Sequence, residues 1–299
     1  LGVLFAYPEY GMAIAFMTLI ILAEPHFGAT WSLFFDVRMR NYIKQNQLLF
    51  ILMPVLISGV AALLFFKYEN IFYILFLSYN IFHVTKQSVG ICKLFSLIKN
   101  ERLYQEYSII FINLFSFCGI TVYHLLGLLT KQDAQLFGFI LLIISLLITF
   151  FQKITFNSWE KSLTTFTGLS IFIPGFFVDE AIHAIVAGVT MHYSQYLLMM
   201  FKIHMTKLNN TNQKIILKQQ NFKLTNFLFL IFIYGIVAVL LTTLSQESKV
   251  FSNLIFIPLL GQILHFYIDG LIWNFKDKKL RDINLNYLTD NVNIKNFKL

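Results

Sequence analysis

The chain has 299 residues, 57% of them apolar and only 13% charged, with 34 phenylalanines and a mean hydropathy of +0.68. A water-soluble domain of this size has too little polar surface to hide so much apolar side chain, which excludes the soluble classes. The formal net charge of +8 then reads as loops facing anionic lipid, with no nucleic-acid partner.

Apolar stretches of about 18 or more residues recur along the whole chain and predict an all-α, polytopic membrane bundle. Nine spans are expected, at about 4–27, 48–66, 71–97, 107–129, 136–151, 163–178, 181–203, 225–244 and 251–275. The sixth carries Pro174 and Gly175, so it or the short fifth is expected to be kinked or re-entrant. No internal repeat or long linker interrupts the pattern. Residues 1–275 therefore read as one transmembrane domain and 276–299 as a basic cytoplasmic tail. No cleavable signal peptide is expected ahead of the first span. Cys92 and Cys118 lie in apolar segments and are expected to be buried free thiols.

Charge supports the count. Most of the 23 basic residues fall in loops after odd-numbered spans or in the tail. Loops after even-numbered spans hold Lys67, Lys131 and Lys249, with the acidic pair Asp179 and Glu180. The positive-inside rule places the N-terminus outside and the C-terminus in the cytoplasm.

In that topology spans 1, 3, 7 and 9 all run from outside to inside. His83, His192 and His265 each lie roughly 11–14 residues into their spans, and His26 is near the inner end of the first, so all four occupy one layer between mid-membrane and the cytoplasmic boundary. His124 and His183 lie near the outer ends of spans 4 and 7, and His204 in a cytoplasmic loop, outside that layer. Three of the four carry a polar partner one turn on: His83 with Gln87 in "HVTKQ", His192 with Gln195 in "HYSQY", and His265 with Asp269 in "HFYID". Spacings of three and four put both groups on one helix face. Such neighbours orient an imidazole that binds metal, and a carboxylate can also be a ligand. A lone intramembrane histidine more commonly bonds a neighbouring helix or lines a wet cavity. The common depth of four favours a metal site, although no HExxH motif or cysteine cluster points to zinc.

Other polar groups lie near the layer. Glu24 reads as a ligand, a proton carrier or an interfacial charge. Pro25 is expected to break the helix before His26, and Gly28 to loosen the backbone after it. Lys86 is expected to pair with Glu24 or Asp269, to bind an anionic headgroup, or to snorkel toward the cytoplasm. Tyr193, Tyr196, Tyr267 and Trp273 read as belt or packing residues. Met191, Met199, Met200 and Met205 read as packing. "KLNNTNQKIILKQQNFK" reads as a solvated loop.

The set "PHFGATW", "FHVTKQSVGICKLF", "MHYSQYLL" and "HFYIDGLIW" resembles a group of bacterial multi-span proteins of unassigned activity. That group shares His-x-x-x-Gln, His-x-x-Gln-Tyr and His-Tyr-x-x-Asp-Gly-x-Ile-Trp segments. The resemblance covers most of the chain and implies a bacterial inner (cytoplasmic) membrane. "PHFG" is also similar to the turns of the Brp/Blh-type β-carotene dioxygenases, whose iron is held by histidines from several helices. That similarity implies iron ligation by His26, His83, His192 and His265. The chain departs from the dioxygenase pattern in having Trp31 and Ser32 where an acidic residue is expected, and no HxxxH pair.

The functional expectation is a membrane oxidoreductase of dioxygenase, hydroxylase or desaturase type. Fe(II) held by the four histidines would act on a long apolar substrate entering from the lipid, such as a carotenoid or an acyl chain. Glu24, Lys86 and Asp269 are the candidate catalytic groups, with Gln87, Gln195 and Asp269 behind the ligands. Two other classes fit the same residues. One is a proton- or ion-coupled transporter using the intramembrane His, Lys and Asp groups. The other is an accessory subunit in which they only join helices or hold lipid.

Overall fold

A computed structural model describes residues 10–95, 99–179, 181–209, 224–247, 249–274 and 276–284. The start of the first expected span, residues 210–223 and residues 285–299 lie outside the described residues. All regular structure among the described residues is helical. The helices are α1 (Gly11–Thr18), α2 (Glu24–Trp31), α3 (Val37–Gln45), α4 (Met53–Lys67), α5 (Glu69–Phe95) and α6 (Lys99–Ile120). They continue with α7 (Lys131–Phe156), α8 (Trp159–Leu169), α9 (Ala181–Asn209), α10 (Leu224–Glu247), α11 (Phe256–Ile272) and α12 (Lys278–Asn284). Among the described residues, five segments are long and apolar enough to cross a membrane: Leu48–Lys67, Arg102–His124, Lys131–Thr155, Leu224–Glu247 and Ser252–Ile272. The protein is an all-helical membrane protein.

The chain forms two compact units. Unit 1 is built chiefly from Ile81–Tyr193, and unit 2 from Leu19–Asn80 and Ser194–Asn293. The core of unit 1 gathers Val89 and Cys92 of α5, Ile109 and Ile112 of α6, Ala134 and Leu141 of α7, and Leu169, Ile173 and Phe176. On α6 the residues Phe111, Leu114 and Phe115 point outward on one helical stripe, as expected for a lipid-facing side. Cys118 continues that stripe and is exposed, whereas Cys92 is buried. The expectation of two buried thiols therefore fails for Cys118, because its helical register places it on the lipid side.

The sixth expected span is broken. α8 has only 11 residues, about 16 Å of rise against a hydrocarbon thickness near 30 Å. It is followed by a 3₁₀ turn over Ile173–Phe177 containing Pro174 and Gly175. Phe176 from that turn packs where only glycine fits: a Cβ on Gly138 would meet Phe176 Cβ at 2.7 Å.

In unit 2, two π-helical turns each precede a proline. Leu19–Ala23 leads to Pro25 and Leu48–Leu52 to Pro54. Proline lacks the N–H and clashes with the carbonyl four residues back, and a widened turn relieves that clash. Pro25 thus re-spaces the helix before His26 instead of ending it. Gly28 stays helical and provides clearance for α10, since a Cβ there would lie 3.0 Å from Tyr234 Cβ. Loosening of the backbone is not its role. The core of unit 2 gathers Ala29, Leu33, Met39, Tyr42, Tyr196, Met200, Phe227, Ile268, Leu280 and Ile283, among others. Its last two named members come from α12, so the first part of the tail is folded into this unit.

Candidate metal centre

The π turn and Pro25 bring α2 into unit 2 with Glu24, His26 and Thr30 all buried. On α11, His265 and Asp269 are buried at 0% and 1% exposure. The rings of His26 and His265 meet edge-on with centroids 4.6 Å apart, and each offers a ring nitrogen within 4.8 Å of the other's. Tyr196 of α9 lies against His26 at 4.5 Å between ring centroids.

Hydrogen bonds behind this pair define its chemistry. The Thr30 hydroxyl donates to Asp269 Oδ1 over 2.8 Å, and His265 Nδ1 lies 2.8 Å from the same Thr30 oxygen. Because the Thr30 proton points to the carboxylate, Nδ1–H of His265 is the donor in the second contact. The imidazole is then the tautomer whose Nε2 carries the lone pair, the form that ligates a metal. Asp269 Oδ1 also accepts from Tyr196 Oη at 2.6 Å and from Trp273 Nε1 at 3.2 Å. Asp269 thus orients His265 through Thr30, matching the carboxylate support commonly found behind ligating histidines. Tyr196 and Trp273 are therefore more than belt or packing residues.

Thr30 is absent from the sequence-derived set, although it stands four residues after His26, the same spacing that joins His265 to Asp269. Glu24 accepts one long hydrogen bond, from Gln262 Nε2 at 3.4 Å on Oε1.

In unit 1, His83 of α5 and His192 of α9 are both buried, with perpendicular rings 5.8 Å apart. Gln87 and Gln195 are half-buried on the same two helices. Lys86 faces out, and the ion pair it makes is with Glu106, 3.4 Å away, an acid Lys93 also holds at 2.6 Å. Lys86 Nζ also lies 5.9 Å from the Phe82 ring centroid. The ion-pair partner of this lysine is thus neither Glu24 nor Asp269, the acids expected from the sequence.

No family model, curated protein or solved structure matches this chain. The site therefore stands on its own geometry.

Two of the remaining histidines, His204 and His124, have structural partners. His204 belongs to α9, not to a loop, and is buried with Nε2 2.9 Å from Ser32 Oγ and its ring stacked 4.3 Å from Phe227. Ser32 Oγ itself donates to Ala29 O over 2.6 Å, so His204 Nε2–H donates to Ser32. His124 Nε2 lies 2.9 Å from Gly175 O, tying the π-helical turn Thr121–Leu125 that follows α6 to the 3₁₀ turn. The side chain of His183 lies outside the described residues.

Proposed function

We propose that the protein is a membrane-embedded oxidoreductase that binds non-haem iron through its buried histidines, with His26, His83, His192 and His265 as the candidate ligands. It would act on a long apolar substrate drawn from the bilayer, a carotenoid or a lipid acyl chain. The observation that carries this reading is the His265–Thr30–Asp269 chain. A buried imidazole, oriented by a carboxylate and presenting its Nε2 lone pair beside a second buried histidine, suits a metal ligand better than a helix-joining group. Bound iron would supply O₂ activation, a chemistry the side chains alone lack. The protein's own contribution is to orient His265, exclude water with the surrounding aromatic rings, and hold exchangeable protons at Tyr196 and Asp269.

The same reading places the chain in a bacterial cytoplasmic membrane with nine crossings, N-terminus outside and C-terminus inside. At 27 and 29 residues, α5 and α9 rise about 40 Å, enough to cross. Metal analysis of the purified full chain tests the centre. Bound iron that falls on His26→Ala, His83→Ala, His192→Ala and His265→Ala supports it, and iron-free protein grown in iron-replete medium sinks it.

A second reading, a proton-coupled transporter, is favoured by Glu24, a buried carboxylate on a membrane helix with one long hydrogen bond. Proton flux into liposomes that is lost in Glu24→Gln while iron stays absent would favour it.

A further inference from the structure

Within unit 2, α3 and α12 are two short amphipathic helices brought side by side from opposite ends of the chain. Tyr42 Oη donates to Asp277 Oδ2 over 2.8 Å, and Lys279 Nζ to Gln45 Oε1 over 3.0 Å. Each helix turns an apolar face inward: Met39 and Tyr42 from α3, Leu280 and Ile283 from α12. Each is also started by an aspartate. Asp36 Oδ1 accepts from the N–H groups of Arg38 and Met39, and Asp277 Oδ1 from those of Lys279 and Leu280. The side left outside is basic, with Arg38, Arg40 and Lys44 on α3 and Lys278, Lys279 and Arg281 on α12, each exposed or partly exposed. Asp36, Asp277 and Asp282 are the acids on these segments; the first two cap the helices, and Asp36 also pairs with Arg38 at 3.8 Å, which leaves Arg40, Lys44 and Lys278 to carry the outward charge.

The pair also adjoins the ends of two apolar segments. α3 runs into the apolar segment Leu48–Lys67, and α12 follows the end of Ser252–Ile272 by a few residues. Asn284 Nδ2 donates to Ile272 O over 2.9 Å, which fastens α12 to the last turn of α11. A cluster of this many cations beside membrane helix ends attracts anionic lipid. Two folded helices present it as a fixed surface, in contrast to a flexible basic loop.

We propose that the paired outer faces of α3 and α12 form a docking platform for the headgroups of anionic phospholipid. His265 lies seven residues before the end of α11, so the platform is roughly 10 Å along the helix axis from the histidine pair. An acyl chain hanging from a docked headgroup reaches that depth. Resting on the oxidoreductase reading above, the platform selects an anionic phospholipid as the source of the acyl substrate.

The test is native mass spectrometry of the full-length protein in detergent with equal amounts of phosphatidylglycerol and phosphatidylcholine of the same chain length. The wild type is expected to retain phosphatidylglycerol at least about tenfold over phosphatidylcholine, and to lose that preference as salt is raised. Arg40→Gln/Lys44→Gln/Lys278→Gln is expected to bring retention close to parity. These three side chains take no part in the Tyr42–Asp277 or Lys279–Gln45 contacts. Lys67→Gln/Lys131→Gln/Lys249→Gln removes as many charges elsewhere and is expected to keep the preference. Equal retention by the wild type, or an unchanged preference in the α3/α12 variant, overturns the platform. The salt series on the wild type decides the matter if that variant fails to fold. Iron content measured on the same samples separates the two ideas: a preference without iron upholds the platform and removes the oxidoreductase reading, whereas iron without a preference does the reverse.

Discussion

Thr30 and Asp269 lie 239 residues apart in sequence and meet through a 2.8 Å hydrogen bond in which the threonine hydroxyl donates to the carboxylate. This contact decides which nitrogen of His265 is available, because the same hydroxyl oxygen faces His265 Nδ1. Thr30→Val keeps the shape and removes both contacts, together with the 2.6 Å contact between the same hydroxyl and Tyr196 Oη. It is expected to destabilise the protein by about 1–3 kcal/mol, the cost of leaving buried polar partners unmet. If the iron reading holds, metal affinity falls about 10–100-fold. Thr30→Ser is expected to restore the metal. Metal titration alongside thermal unfolding of the three proteins checks this, and unchanged affinity in Thr30→Val removes Asp269 from its supporting role.

Tyr196 and Trp273 both donate to Asp269 Oδ1, but at 2.6 and 3.2 Å. The shorter, fully buried bond to a charged acceptor is worth more, about 1.5–3 kcal/mol against roughly 1 for the longer one. Tyr196→Phe should therefore lower stability by the larger amount even though it deletes one atom. Comparable losses in Tyr196→Phe and in Trp273→Phe, which also trims the indole, would contradict this ranking of the network.

For Lys86, the outward ion pair with Glu106 predicts a small effect. Its side chain is 47% exposed, and exposed pairs contribute about 0–1 kcal/mol. Lys86→Gln is expected to leave bound metal unchanged and stability nearly so. A large loss of activity with an intact fold would instead return Lys86 to the catalytic set.

The Tyr42–Asp277 contact predicts a pH response at the α3–α12 junction. Partial burial raises the Asp277 carboxyl, but the Tyr42 hydroxyl, the backbone N–H groups of Leu280 and Lys279 and the Lys279 charge outweigh it, so the group sits below the ordinary 3.8. Its contribution is therefore present above that value and is lost as pH falls through the depressed one. On the alkaline side, burial and then the Asp277 contact push the Tyr42 phenol from 10.0 to about 12. That contribution is complete below 10.0 and is lost as pH rises through about 12. Thermal unfolding across pH should show both flanks in the wild type, with the acidic one reduced in Asp277→Asn and the alkaline one absent in Tyr42→Phe.

Glycine positions give a contrast within unit 1. A Cβ on Gly138 meets Phe176 Cβ at 2.7 Å, close to that residue's backbone, whereas on Gly90 it meets nothing within 4 Å. Gly138→Ala is expected to cost about 1–3 kcal/mol from overpacking. Gly90→Ala, inside α5, is expected to stabilise by roughly 0.5–1 kcal/mol. Denaturation in one detergent compares them, and the opposite order would contradict the packing around Phe176.

Much of this molecule is determined locally. Composition alone fixes its class, since that apolar content requires lipid. Helical periodicity marks the pairs His83 with Gln87 and His265 with Asp269, because residues four apart share a face whatever surrounds them; the same spacing joins His26 to Thr30, which is missing from the sequence-derived set. Pro25 and Gly28 signal an irregular, closely packed stretch, although the π turn and the fit against Tyr234 appear only in three dimensions. What sequence spacing cannot supply is the partner across elements. That Asp269 reaches His265 through Thr30, that Lys86 pairs with Glu106, that His204 bonds Ser32 and that α12 lies beside α3 all depend on how distant helices pack. Membrane helices carry weak directional signals for that packing, since lipid and protein interior are equally apolar and small differences in shape and hydrogen bonding choose the neighbours. Depth is written along the chain by the 1.5 Å rise of each residue, whereas contact is decided by tertiary structure.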